Sequence, residues 1–318
     1  MTERPEGAAP AARDPVGMMP MRDHTPAESE SADPFAEHRR LLFATAYRML
    51  GTVTDTEDVL QDAWISWHGA DRSSVRNPRA YLVRTVVNLA LNRLTSARAT
   101  RETYVGPWLP EPLLTEPSAA EETEMADEVS TAMLVVLETL SPVERVVFVL
   151  REVFGFSHAE IAGFIERPEA TVRQIAHRAR AHVQARRPRC DNDAADRREI
   201  TEKFLAASHG GDVNALMELL APEVTLWNDG GGKITAARRP LYGPDHVARW
   251  LLGVMAKPVS AGMHMTPAVI NGELGLLVLL GEVPVGALTY DLLGGRILNM
   301  RFQVNPDKLR GLHLRAES

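Results

Sequence analysis

SHAEIAGFIERPEATVRQIAHRARAHVQARR, residues 157–187, reads as two short helices around a tight turn, the second running out into arginines. The first carries Ile161, Phe164 and Ile165 on one side. Pro168 interrupts the pattern at a place where its missing N–H has no helical partner to lose. Beyond it Val172, Ile175, Ala176, Ala179 and Val183 recur at helical spacing, so one stripe can pack on the protein. Arg173, Gln174, His177, Arg178 and Arg180 fall largely off that stripe. A helix that packs by one face and offers Arg and Gln on another suits a DNA major groove. There Arg can hold guanine O6 and N7, and Gln adenine N6 and N7. On this stretch alone, a surface helix pair with solvated arginines is the competing reading.

The charge distribution bears on that choice. The 318-residue chain has a formal net charge of −7, which taken whole argues against a nucleic-acid partner. By segment it does the opposite. Residues 35–107 hold ten arginines against seven carboxylates, and 141–190 nine against five. Between them, 108–140 hold eight carboxylates and no basic residue. Two basic blocks flanking an acidic stretch say more about partners than the total does. Cys190 is the only cysteine, which leaves no internal disulfide and no thiolate cluster, and fits a reducing compartment. The first 34 residues are polar and proline-rich rather than a secretory signal, and the apolar run 274–280 is too short to span a bilayer. The expectation is a cytoplasmic protein without a membrane partner.

The chain divides into six parts. Residues 1–34 have a composition that cannot bury a core and are expected to be disordered. Residues 35–105 read as all-helical: an amphipathic helix at 35–50, a second to about 67 with Thr54 and Glu57 as a capping box, and a third from Asn77-Pro78 to about 96. In the second, Val59, Leu60, Ala63, Trp64 and Trp67 form the apolar side, with both tryptophans expected in the core. Asp58, Gln61 and Asp62 face away. In the third, Tyr81, Arg84, Asn88 and Asn92 share one face. Residues 106–128 are an acidic, proline-rich linker, 129–187 a second helical block, and 188–195 a hinge. From 196 the pattern becomes α+β: helices at 197–208, 213–220 and 245–255, and strands at 224–227, 234–236, 263–271, 274–281, 283–292 and 296–304 of antiparallel type.

Three stretches, DTEDVLQDAWISW (55–67), NPRAYLVRTVVNLALNRL (77–94) and 141–183, resemble in order and spacing an extracytoplasmic-function sigma factor. WLPEP (108–112), DGGGK (229–233) and NPDKL (305–309) resemble the signature of the subgroup with a fused C-terminal SnoaL-like domain, a cone of the nuclear-transport-factor-2-like type. The resemblance implies two all-α sigma domains, region 2 and region 4, followed by an α+β cone at 196–318. It implies that Asp58, Gln61 and Asp62 bind core RNA polymerase, and that Asn77, Arg79, Tyr81, Arg84, Asn88 and Asn92 engage the minus-ten element. Capture of unpaired bases there would use aromatic, amide and guanidinium groups. Thr171, Arg173, Gln174, His177 and Arg178 would read the minus-thirty-five element. The same resemblance sets Trp108, Leu109 and Pro110 against Asp229, Gly230, Gly231, Lys233, Asn305, Pro306, Asp307, Lys308 and Leu309, so that the fused domain replaces a separate anti-sigma protein.

The expected protein is therefore a sigma factor regulated in cis, without catalytic residues, metal or cofactor. Two detached helical bundles would grip promoter and polymerase while the tail domain decides whether they are free to do so. Two alternatives remain at this stage. One is a DNA-binding regulator sensing a small apolar ligand in the C-terminal cone. The other is a SnoaL-like cyclase or isomerase fused to DNA-binding helices, for which Asp229, His246 and His264 are the candidate acid–base groups.

Overall fold

The structure, a computed structural model, describes residues 33–115, 130–186 and 193–312. Most of the expected tail (1–34), the later part of the acidic linker, most of the hinge at 188–195 and residues 313–318 lie outside the described residues.

Ten α-helices and six strands are present among them. The first block comprises α1 (Pro34–Leu50), α2 (Val53–Gly69) and α3 (Pro78–Glu102). Gly51, at φ +72°, closes α1 by donating to the Tyr47 carbonyl at 2.8 Å. A left-handed residue just past a helix end favours glycine, which has no Cβ to clash. Asn77 caps α3 as expected, its Oδ1 accepting from the Ala80 N–H at 3.0 Å. The capping box at Thr54 and Glu57 does not form. The helix begins at Val53, two residues early for that geometry, and Glu57 reaches Arg39 instead (2.8 Å). Trp67 is buried as expected, but Trp64 is 45 % exposed and lies against the His68 ring, centroids 4.0 Å apart. The stripe Val59, Leu60, Ala63 and Trp67 already fills the seam with α1 and α3, which turns Trp64 outward.

The second block comprises α4 (Thr131–Glu138), α5 (Pro142–Phe148) continued by a π-turn (Val149–Val153), α6 (His158–Ile165) and α7 (Glu169–Arg186). Capping boxes start α5 (Ser141 with Glu144) and α6 (Ser157 with Glu160). Glu166, in the left-handed region at φ 52°, ends α6, and the Pro168 carbonyl accepts the first bond of α7 from Val172 N–H at 3.1 Å. The two blocks are not detached. Their apolar stripes merge into one core running from Phe35 to Val183. Arg145, 3 % exposed, donates to the Met49 carbonyl at 2.8 Å and to Glu138 at 2.5 Å. Arg48 stacks over Phe154, and Arg84 pairs with Glu166. Each block alone leaves an apolar face open, and closing the two against each other buries both.

The C-terminal domain has its own core. α8 (Ala194–Gly210), α9 (Val213–Leu219) and α10 (Pro244–Met255) cover one face of a six-stranded sheet of order β2-β1-β6-β5-β4-β3. Its strands are β1 (Leu220–Asp229), β2 (Leu241–Tyr242), β3 (Met263–Ile270), β4 (Glu273–Leu280), β5 (Val283–Leu293) and β6 (Arg296–Gln303). Helices first and strands after is the α+β layout expected. Two details differ. β1 and β6 run parallel, because the β3–β6 meander returns its last strand beside the first. No strand forms at 234–236, where the Gly231 and Gly232 turn leaves Ile234 exposed, and Leu241–Tyr242 supplies the edge pairing instead. Alternation along the strands separates two faces. Leu226, Met300, Leu288 and Tyr290 meet the helices. Trp227, Arg301 and Asp291 lie on the opposite face, where a buried Arg301–Asp291 pair closes at 2.6 and 2.9 Å.

Candidate interdomain docking site

The linker, together with α4 and Tyr47 of α1, joins the helical core to the sheet. Residues 104–115 run across it, with Leu109, Pro110, Glu111 and Pro112 buried and Trp108 half-buried. At its far end Leu114 bridges Ile270 in antiparallel fashion, and Asn271 N–H donates to the Leu113 carbonyl at 2.8 Å. The edge strand β3 would otherwise present unpaired backbone groups.

At the near end, the carboxylate of Asp229 is fully buried and receives five donors. Tyr104 OH (2.6 Å) and Gly231 N–H (3.0 Å) reach Oδ1. Leu109 N–H (2.9 Å), Gln303 Nε2 (3.2 Å) and Lys308 Nζ (2.7 Å) reach Oδ2. Lys308 also donates to the Leu109 carbonyl at 2.6 Å and sits over the Trp108 ring, 4.1 Å from its centroid. A buried ion pair is sustainable when further hydrogen bonds satisfy both partners, which is the case here. Burial first, and then the bond to Asp229, pushes the Tyr104 hydroxyl well above its ordinary range and keeps it a proton donor. The positive φ of Gly231 (59°) lets the loop turn back under its own carboxylate, and a Cβ there would lie 2.3 Å from Asn305 Nδ2. Asn305 in turn donates to Tyr104 OH at 2.9 Å and caps the turn Pro306–Lys308 by accepting from Asp307 N–H at 3.1 Å. Lys233 pairs with Asp307 at the rim, Gly230 packs under Ala236, and Leu309 joins a small core with Ile270 and Leu277. The Pro110 carbonyl accepts from Gln303 Nε2 at 3.3 Å.

Glu111 turns the other way, into the helical core. Its Oε2 accepts from Val53 N–H at 2.8 Å, supplying the N-terminal cap that Thr52 does not give α2. Burial pushes this carboxyl up, opposed by the backbone bonds from Val53 and Thr54. Tyr47 OH donates to the Glu111 carbonyl (2.6 Å) and accepts from Asn271 Nδ2 (2.8 Å), so one tyrosine ties α1, linker and sheet together. Sequence reading missed Tyr47, Tyr104, Glu111, Gln303 and Asn271. Only the Asn271-Gly272 hairpin dipeptide and the place of Glu111 inside WLPEP carried a signal.

The other predicted residues fall on three helices, α2, α3 and α7. Asp58, Gln61 and Asp62 are exposed on α2 beside Trp64 and Ile65, and Asp58 pairs with Arg93 at 2.5 Å. On α7, Arg173, Gln174, His177 and Arg178 are exposed and Thr171 half-buried. Arg173 meets Glu169 at 3.4 Å. On α3, Asn92 is exposed and Asn88 half-buried. Tyr81 is held against Trp67, and Asn77 is spent on its cap. Arg79 lies over Phe156, and Arg84 is paired with Glu166. The acid–base set is not assembled. His246 and His264 are exposed, His246 bonded to the Tyr242 carbonyl (3.2 Å), and neither is among the groups bonded to Asp229.

Two helical blocks, the second ending in an exposed arginine helix, define a protein of the sigma-70 type. Residues 35–100 match the family model for sigma-70 region 2, and 130–183 that for sigma-70 region 4. The chain is 39 % identical over 249 residues to the ECF RNA polymerase sigma factor SigJ of Mycobacterium tuberculosis, covering 76 % of this chain and 78 % of that one. It is 30 % identical over 284 residues to the probable ECF RNA polymerase sigma factor SigI of the same species, covering 88 % and 94 %. The crystal structure of M. tuberculosis SigJ superposes with a TM-score of 0.69 at 33 % identity, over 87 % of this chain and 97 % of that one. The chain belongs to the extracytoplasmic-function family of RNA polymerase sigma factors, which direct transcription initiation.

Proposed function

We propose that this sigma factor is restrained in cis by the docking of its linker between the helical core and the C-terminal sheet. One observation carries the reading: the fully buried Asp229 carboxylate takes the Leu109 N–H of the linker and the Lys308 ammonium of the NPDKL turn at once. In this arrangement Arg79 and Arg84 of the minus-ten face touch Phe156 and Glu166 of the second block while staying exposed, so parting the blocks frees them from weak surface contacts rather than uncovering them. The α7 face with Arg173, Gln174, His177 and Arg178 stays exposed and is assigned to the minus-thirty-five element. Thr171 lies at its edge. The α2 face with Asp58, Gln61 and Asp62 is assigned to core polymerase. The restraint lies within the chain, so no separate anti-sigma protein is required, and the reading is of a cytoplasmic, non-enzymatic factor. Among the described residues no helix is long and apolar enough to cross a membrane.

The test is reconstituted transcription with core polymerase on a selected promoter. Wild type should give a promoter-specific transcript, and Trp108→Ala should raise its yield at limiting sigma. An unchanged yield with a demonstrably loosened linker would remove the regulatory part of the proposal. No specific transcript from either would remove both parts.

A further inference from the structure

A cavity of about 410 Å³ lies in the seam between linker, helical core and sheet. It is separate from the interior of the C-terminal cone. Trp227 and Arg301, which line it, alternate along their strands with the residues that face α8–α10. Its walls are flat and apolar: Trp108 and Pro107 from the linker, Trp227 from β1 and Pro240 from the loop before β2, with Val135 of α4 opposite. Two guanidinium groups reach it. Arg301 is neutralised by its bidentate pair with Asp291. Arg238 is exposed and makes no ion pair among the described residues, which leaves one uncompensated positive charge at the cavity wall.

We propose that this seam cavity binds a planar aromatic acid of about two fused rings. The rings lie against Trp108 and Trp227, and the carboxylate sits on Arg238. The volume falls in the range of small-molecule sites, whose lining is mostly apolar with a few placed polar groups. Aromatic faces favour a flat π-system, and a free guanidinium favours a carboxylate. A purely aliphatic ligand would leave the Arg238 charge unused, and a small inorganic anion would leave both indoles unfilled. The walls come from linker, α4 and sheet together, so the ligand binds best when all three are docked, and by mass action it holds them so.

The experiment is calorimetric titration of the full-length chain with 2-naphthoate and with its neutral analogue 2-naphthalenemethanol, repeated on Arg238→Gln. Arg238 is exposed, so the variant should fold, and circular dichroism checks this. The expected result is saturable binding of 2-naphthoate, weakened about tenfold by Arg238→Gln and about tenfold by loss of the carboxylate, as for a charge-assisted contact. Hydrogen exchange across 104–115 should slow in the presence of 2-naphthoate. No saturable binding by about 1 mM, the weak end of ligand affinity, overturns the proposal. So does equal binding by Arg238→Gln, which would place the ligand elsewhere, in the cone interior for example. No polymerase enters the measurement, so its outcome is independent of the regulatory reading.

Discussion

Asp229 and Glu111 are two buried carboxylates with opposite design. Asp229 is surrounded by Lys308 and four neutral donors. Removing one partner of such a pair strands the other charge, which typically costs about 3–5 kcal/mol. Asp229→Ala should therefore lose stability on that scale in urea unfolding of the full chain, and a change below about 1 kcal/mol would mean that Lys308 escapes to solvent. Among the described residues no cation is bonded to Glu111, and burial, opposed by the Val53 and Thr54 backbone bonds and the nearby Lys308 charge, raises it above its ordinary value of 4.5. The folded state then holds the proton more tightly than the unfolded one. Its stabilising contribution is full below 4.5 and is lost as pH rises through the folded value. Glu111→Gln keeps an acceptor for Val53 N–H but removes the titration. The variant should match or exceed wild type in thermal stability at neutral pH, and the difference should close as pH falls toward the ordinary carboxyl value. A pH-independent difference would contradict this.

Among the elements, α7 was legible in the sequence. Its stripe from Val172 to Val183 is buried and its arginine face is exposed, because helical period and polarity agree there. Arg178→Ala should weaken promoter binding with an unchanged melting temperature, and should reduce the salt slope of log affinity by about one if it meets a phosphate. Unaltered affinity at moderate salt would remove Arg178 from the interface. α2 was legible only in part. Its buried stripe was found, but its start was not, because the cap is Glu111, 58 residues on in the chain. A local rule cannot see a distant cap. The strand expected at 234–236 failed for a related reason. Its apolar residues satisfied propensity, but the preceding glycine turn, locked to Asp229 and Asn305, carries them out of register with β1.

The whole molecule is held by few cross-links of long reach. Tyr47, Tyr104, Leu109 and Lys308 each join parts more than sixty residues apart, and Trp108 lies under the Lys308 ammonium in the middle of them. Such a network should open as a unit. Trp108→Ala is expected to raise hydrogen exchange in 104–115 and in 303–309 together, with little change in the α8–α10 core. Exchange rising in the linker alone would show that the NPDKL turn holds without it. Identical exchange everywhere would show that Trp108 is not part of the lock.

The order of sigma-type helices, the α+β tail and the three short strings were fixed by residue type and spacing, because patterning acts locally and survives in a linear reading. Tertiary structure alone decided that the two helical blocks share one core, that β6 returns parallel to β1, and which atom of the linker meets Asp229. Those outcomes depend on burying apolar faces and satisfying polar groups contributed by segments far apart in the chain.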